Sequence, residues 1–80
     1  DRLSFEAAEE QYLNGQGIAP MRRYLKNYPK GHNRHRALAY LMDEASERQA
    51  TDEAYKYASA IVKEYPDAEA AEDALAIVAA

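Results

Sequence analysis

The frame Lys-x-Tyr-Pro occurs twice in this chain, as KNYPKG at 26–31 and KEYPDA at 63–68, 37 residues apart. Sliding the chain against itself by that distance places Lys26 on Lys63, Tyr28 on Tyr65, Pro29 on Pro66, Ala37 on Ala74, Leu38 on Leu75 and Ala39 on Ala76. Self-similarity at a fixed period of this size marks one supersecondary unit written more than once, in which no unit buries its apolar face alone. Each proline disfavours the α conformation at the tyrosine before it and has no amide to donate, so both Tyr-Pro steps end a helix.

The rest of the chain supplies helices for those steps to end. Glycine and proline are confined to a few short places, and alanine and glutamate are the commonest residues, which favours helix. In 4–14 the apolar residues Phe5, Ala8 and Tyr12 recur at i, i+3 and i+7, one stripe of a first helix. Asn14-Gly15-Gln16-Gly17 interrupts it, and Pro20 suits the first turn of a second helix through Met21, Tyr24, Leu25 and Tyr28. Asn33 is expected to cap a third, carrying Ala37, Leu38, Leu41 and Ala45 to about Arg48. Thr51, with Asp52 and Glu53 behind it, opens a fourth with Ala54, Ala58, Ile61, Val62 and Tyr65. Asp67 is expected to cap a fifth with Glu69 and Glu72 near its start and Leu75, Ile77 and Val78 toward its end. Five short helices with brief connections pack as antiparallel neighbours.

Several function classes lose their support. The chain has 80 residues, one domain or less, and no cysteine to provide a disulfide, a thiolate nucleophile or a Cys-based zinc site. No apolar run approaches the roughly 20 residues of a membrane helix, and a net charge of −4 argues against general nucleic-acid binding. His32 and His35 could share a helix face, but no third ligand is near and Lys30, Arg34 and Arg36 would repel a divalent cation, so both read as exposed turn residues. Ser4, Ser46 and Ser59 belong to no acid-histidine-nucleophile arrangement, and Gly15-Gln16-Gly17 lacks the lysine and strand of a phosphate loop. The expectation is a protein that is not an enzyme and carries no metal or other cofactor.

With Pro66 as anchor, one unit reads Leu38, Leu41, Met42, Ala45, Ala54, Ala58, Ile61, Pro66. That spacing resembles the tetratricopeptide repeat (TPR), a helix-turn-helix unit of 34 residues. Leu38 stands for the usual aromatic, Met42 for the small glycine, and Ala45 and Ala58 for larger rings. Three additional residues follow each proline, and the Tyr-Pro turn with its extended link is similar to repeats of TolA-binding proteins of the Tol-Pal system and related bacterial cell-envelope proteins. The resemblance implies an all-α, right-handed α-α superhelix of antiparallel helix pairs, about five helices within 1–80: a partial unit at 4–29, a complete unit at 33–66, and the first helix of a further unit at 67–80. In the first unit, counting back from Pro29 puts Gly17 at the small-residue site, whereas counting forward from Asn14-Gly15 puts Pro20 there. The expectation is a shortened turn between its helices.

The same resemblance implies a non-enzymatic scaffold that binds a partner protein or peptide on a concave face, and suggests a periplasmic or cell-envelope setting. Carried over by position, that face has Arg36, Ala39, Asp43, Ser46 and Glu47 from the complete unit, and Arg2, Phe5, Glu9 and Tyr12 from the first. Lysine and asparagine that clamp a C-terminal carboxylate in some repeat proteins are replaced here by Ala39 and Asp43. The tyrosines 24, 28, 55, 57 and 65 fall on second helices and read as packing residues.

Charge is unevenly spread. Six bases (Arg22, Arg23, Lys26, Lys30, Arg34, Arg36) and no acid lie in 20–36, whereas 64–73 holds five acids and no base. Lys30, Arg34 and Arg36 form a basic turn at a helix start, where acids are favoured. It either meets an acidic turn of an adjacent unit, stays solvated, or contacts an anion or acidic peptide. The last helix ends ALAIVAA without a polar cap, so the chain reads as a piece of a longer array or one that buries Leu75 and Val78 in another chain. A purely structural or oligomerising segment, or a regulatory domain of a larger enzyme, is the alternative to partner binding.

Overall fold

The computed structural model describes residues 2–79, and the side chains from 4 to 79. Among them are five α-helices, α1 (Arg2–Leu13), α2 (Ala19–Asn27), α3 (Arg34–Glu47), α4 (Thr51–Glu64) and α5 (Ala70–Ala79), and no strand. Each helix packs on the next in the chain. Side-chain contacts also join α1 to α3 through Tyr12 and Tyr40, and α2 to α4 through Arg22 and Glu53. α1 and α3 thus touch across α2, and α2 and α4 across α3, while α5 packs on α4.

The doubled Tyr-Pro frame is duplicated in hydrogen bonding. The Tyr28 amide closes α2 on the Tyr24 carbonyl, Gly31 donates back to Tyr28, and Arg34 to Gly31. Thirty-seven residues on, Tyr65 closes α4 on Ile61, Ala68 donates to Tyr65, and Ala71 to Ala68. The two tyrosines adopt nearly the same backbone, φ −131°, ψ 66° and φ −135°, ψ 59°. In the first link Tyr24 adds a hydroxyl that accepts the Asn33 amide at 3.3 Å.

The other kind of helix end is also paired. After α1, Gln16 donates to the Gln11 carbonyl and Gly15 to Tyr12; after α3, Ala50 donates to Ala45 and Gln49 to Ser46. This is the Schellman arrangement, which needs a left-handed residue, here Gly15 at φ 82° and Gln49 at φ 61°. Those residues lie 34 apart, against 37 for the prolines, which is why the two anchors disagree by three. The missing residues come from α2, with 9 residues against 14 in α4. The connection before it is longer, not shorter as expected: five residues separate α1 from α2 and three separate α3 from α4. Gly17, at φ 98°, bends the chain again, so Ile18 is buried as a core residue ahead of α2.

Two apolar clusters result. Phe5, Ala8, Ile18, Met21, Tyr24, Ala37 and Leu41 form the first, and Leu38, Met42, Ala58, Ile61, Ala71 and Ala74 the second. Helix α3 feeds both, Ala37 and Leu41 on one side and Leu38 and Met42 on the other, while Leu25 and Tyr57 pack against each cluster. The seven non-proline positions of the unit anchored on Pro66 are all buried, none more than 4% exposed.

Two capping expectations are corrected. Asn33 occupies the N-cap of α3, but its side chain makes no capping bond. Thr51 opens α4 as expected, with Ala50 at the N-cap. Asp67 does not cap α5: the bond from Ala68 to Tyr65 keeps 66–69 in turns, and the helix begins at Ala70.

Candidate functional site

The candidate site is organised around α3. Residues 36, 39 or 40, 43 and 47 recur at three- and four-residue spacing and so share one stripe of that helix. Arg36 leans toward α1, where its guanidinium sits 4.9 Å from the centroid of the Phe5 ring and donates to Glu9 Oε2 at 2.8 Å. The Tyr40 hydroxyl donates to the same oxygen at 2.5 Å. That bond, reinforced by burial, raises the Tyr40 hydroxyl above the ordinary tyrosine range. Tyr12 meets the Tyr40 ring edge to face at 5.5 Å. Partial burial, followed by the charges of Glu47, Glu44 and Asp43, raises its hydroxyl too.

Beyond α3 the surface opens into a cleft of about 840 Å³ between α3 and the link leading into α5. Ala39, Pro66, Ala68 and Ala70 supply apolar lining, and His35 and Tyr65, with ring centroids 5.4 Å apart, form an aromatic side. Asp67, Glu69 and Asp73 bring carboxylates to the lining, all three on exposed residues. Asp43 stands next along α3. Burial, then the charges of Asp73 and Glu47, pushes its carboxyl above the usual range.

The basic turn does not stand free. Arg34 grips Glu64 with two parallel hydrogen bonds of 2.9 and 3.0 Å, and that bonding holds the Glu64 carboxyl below the usual range. Arg36 is engaged by Glu9, and Lys30 remains exposed. The acids that engage the two arginines lie at the end of α4 and on α1, not in an acidic turn of an adjacent unit. Charges at the other end of the unit are paired as well: Arg48 bridges Glu44 and Glu53, both at 2.6 Å, and Arg22 reaches Glu53 at 3.2 Å.

The positions expected on the binding face divide accordingly. Arg36, Glu9 and Tyr12 come together, with Tyr40, a residue the sequence reading passed over although it lies four beyond Arg36. Ala39 lines the cleft, and Asp43, Ser46 and Glu47 are exposed along α3. Phe5 requires correction, because it is fully buried and forms the floor under Arg36. The Arg2 side chain lies outside the described residues. Asp67, Glu69 and Asp73 were legible as an acidic run, but only the turn at 66–69 brings them to one cleft. Among the described residues no group of three or more His, Asp or Glu is placed to hold a metal ion, and no helix is long and apolar enough to cross a membrane.

Comparison of the chain with protein-family models, with curated proteins and with solved structures finds no match.

Proposed function

We propose that this chain is a TPR-like helical-repeat scaffold, without catalysis of its own, that binds a partner protein or peptide on the face of α1, α3 and α5. One observation carries the reading: the α3 stripe from Arg36 to Glu47 leads directly into an open cleft large enough for several side chains, on a frame whose two links share three main-chain hydrogen bonds. Stacked helix pairs create extended surfaces of this kind, and a rigid groove limits the ordering penalty of association. The seven buried signature positions and the sequential packing of five helices support the repeat reading.

A second role rests on the repeat itself. Leu38 is 3% exposed, whereas Leu75, its mate one period later, is 52% exposed. α4 and α5 cover Leu38, so a further helix stacked on α5 would cover Leu75 in the same way. Val78, expected beside it as a contact residue, is half-buried against the second cluster. The face available for stacking is therefore centred on Leu75.

Selection of a displayed random decapeptide library on the immobilised chain, followed by NMR shift mapping with the selected peptides, tests the binding role. Perturbed amides at Ala39, Asp43, Glu47 and Asp73 are the expected result. Shifts confined to α2 and α4, or a library that yields no binder, would remove the assignment.

A further inference from the structure

The two links are the same turn with opposite charge. One period carries Lys30 to Asp67, His32 to Glu69 and Arg36 to Asp73, so three positions of fixed backbone geometry change from basic or neutral to acidic. Their fates differ as well. In the first link Arg34 and Arg36 are satisfied internally by Glu64 and Glu9. In the second, Asp67, Glu69 and Asp73 make no ion pair or hydrogen bond with any side chain among the described residues.

The cleft of about 840 Å³ therefore has a definite character. Two of its lining charges, Arg36 and Glu64, are neutralised by partners, which leaves three carboxylates around an apolar floor of Ala39, Pro66, Ala68 and Ala70. Tyr65 and His35 add ring surface on which a planar cation can stack. Opposite charges within a few ångströms of a low-dielectric wall are favourable, and like charges are turned away. The sign of the free charge rules against a phosphate or nucleic-acid ligand.

We propose that the cleft between α3 and the link into α5 takes a basic protein segment, with an arginine or lysine set against Asp67, Glu69 and Asp73 and a neighbouring apolar side chain on the alanine-proline floor. This rests on the binding role proposed above and gives that role a charge sign. It reverses the acidic partner that the basic turn suggested, because the arginines of that turn are already engaged. Asp43, whose carboxyl is raised first by burial and then by the charges of Asp73 and Glu47, lies close enough to Asp73 to feel its charge.

Three fluorescein-labelled decapeptides with the same apolar positions test the idea, their remaining positions filled by arginine and lysine, by serine, or by glutamate. In fluorescence anisotropy with the full chain, the basic peptide is expected to bind at least tenfold more tightly than the serine peptide, and the glutamate peptide not to bind. Asp67→Asn with Asp73→Asn should remove tenfold or more of that affinity, whereas Asp52→Asn, outside the cleft, should change it less than twofold. Equal affinity for the serine peptide, or an unchanged affinity in the double variant, would overturn the proposal. So would a concentration-dependent dimer dissolved by the double variant, which would make a second copy of the chain the occupant. If library selection yields neutral or acidic peptides that map to this face, the binding role stands and its charge assignment falls. If nothing binds there, both fall.

Discussion

At the scale of single residues, the Arg34–Glu64 pair shows how a helix start with the wrong charge is tolerated. Arg34 opens α3 at the positive end of its dipole, a placement that disfavours it by about 0.3–1 kcal/mol. The two bonds from Glu64 supply a counter-charge at that point. Both side chains keep some exposure, 21% and 39%, so solvent screening limits the pair to about 0.5–1 kcal/mol. Its pH dependence has a definite sign. The folded Glu64 pKa lies below the unfolded value of about 4.3, so the contribution is present above that value and lost as pH falls through the folded pKa. Glu64→Gln is expected to lower stability by about 0.5–1 kcal/mol at pH 7 and to leave it unchanged at pH 2. Urea titrations at the two pH values measure the difference.

At the scale of elements, the ends of the helices decide the architecture, and they differ in how well they could be read. The Tyr-Pro stops were legible because proline acts through its own covalent structure, and the five helices followed from spacing. The Asn14-Gly15 end of α1 was legible for a similar reason, since glycine favours the left-handed state. The end of α3 was visible only approximately, because Gln49 adopts φ 61° with no sequence signal for it. Left-handed backbone is unfavourable for such a residue by about 1–2 kcal/mol, and the two Schellman bonds hold it there. Gln49→Gly should therefore raise stability by about 1 kcal/mol, seen as a higher urea midpoint at unchanged slope. A lower midpoint would show that the Gln49 side chain contributes more than its backbone loses. The site was legible in part: Arg36, Ala39 and Asp43 were placed only through the repeat resemblance, carried over by position onto α3, whereas the cleft depends on where α5 starts. Asp67 looked like a cap in sequence, and only the bond from Ala68 to Tyr65 shows that it belongs to a turn instead.

At the scale of the whole molecule, two clusters are joined by one helix, and the repeat sets an internal control. Leu38 and Leu75 have the same place in the period but opposite burial. Leu38→Ala is expected to destabilise the chain by about 2–5 kcal/mol through lost burial and a residual cavity, whereas Leu75→Ala should stay within about 0.5 kcal/mol in the isolated chain. Thermal unfolding of both variants provides the comparison, and similar losses would mean that something already covers Leu75. The differing fates of the two links also say how such a molecule can diversify. Each Tyr-Pro link is closed by main-chain hydrogen bonds, and the second manages without the tyrosine hydroxyl that assists the first. A duplicated segment can thus inherit the fold of its parent while every charge on the link is rewritten, so new binding preferences can arise by substitution alone, with the geometry of the array already in place.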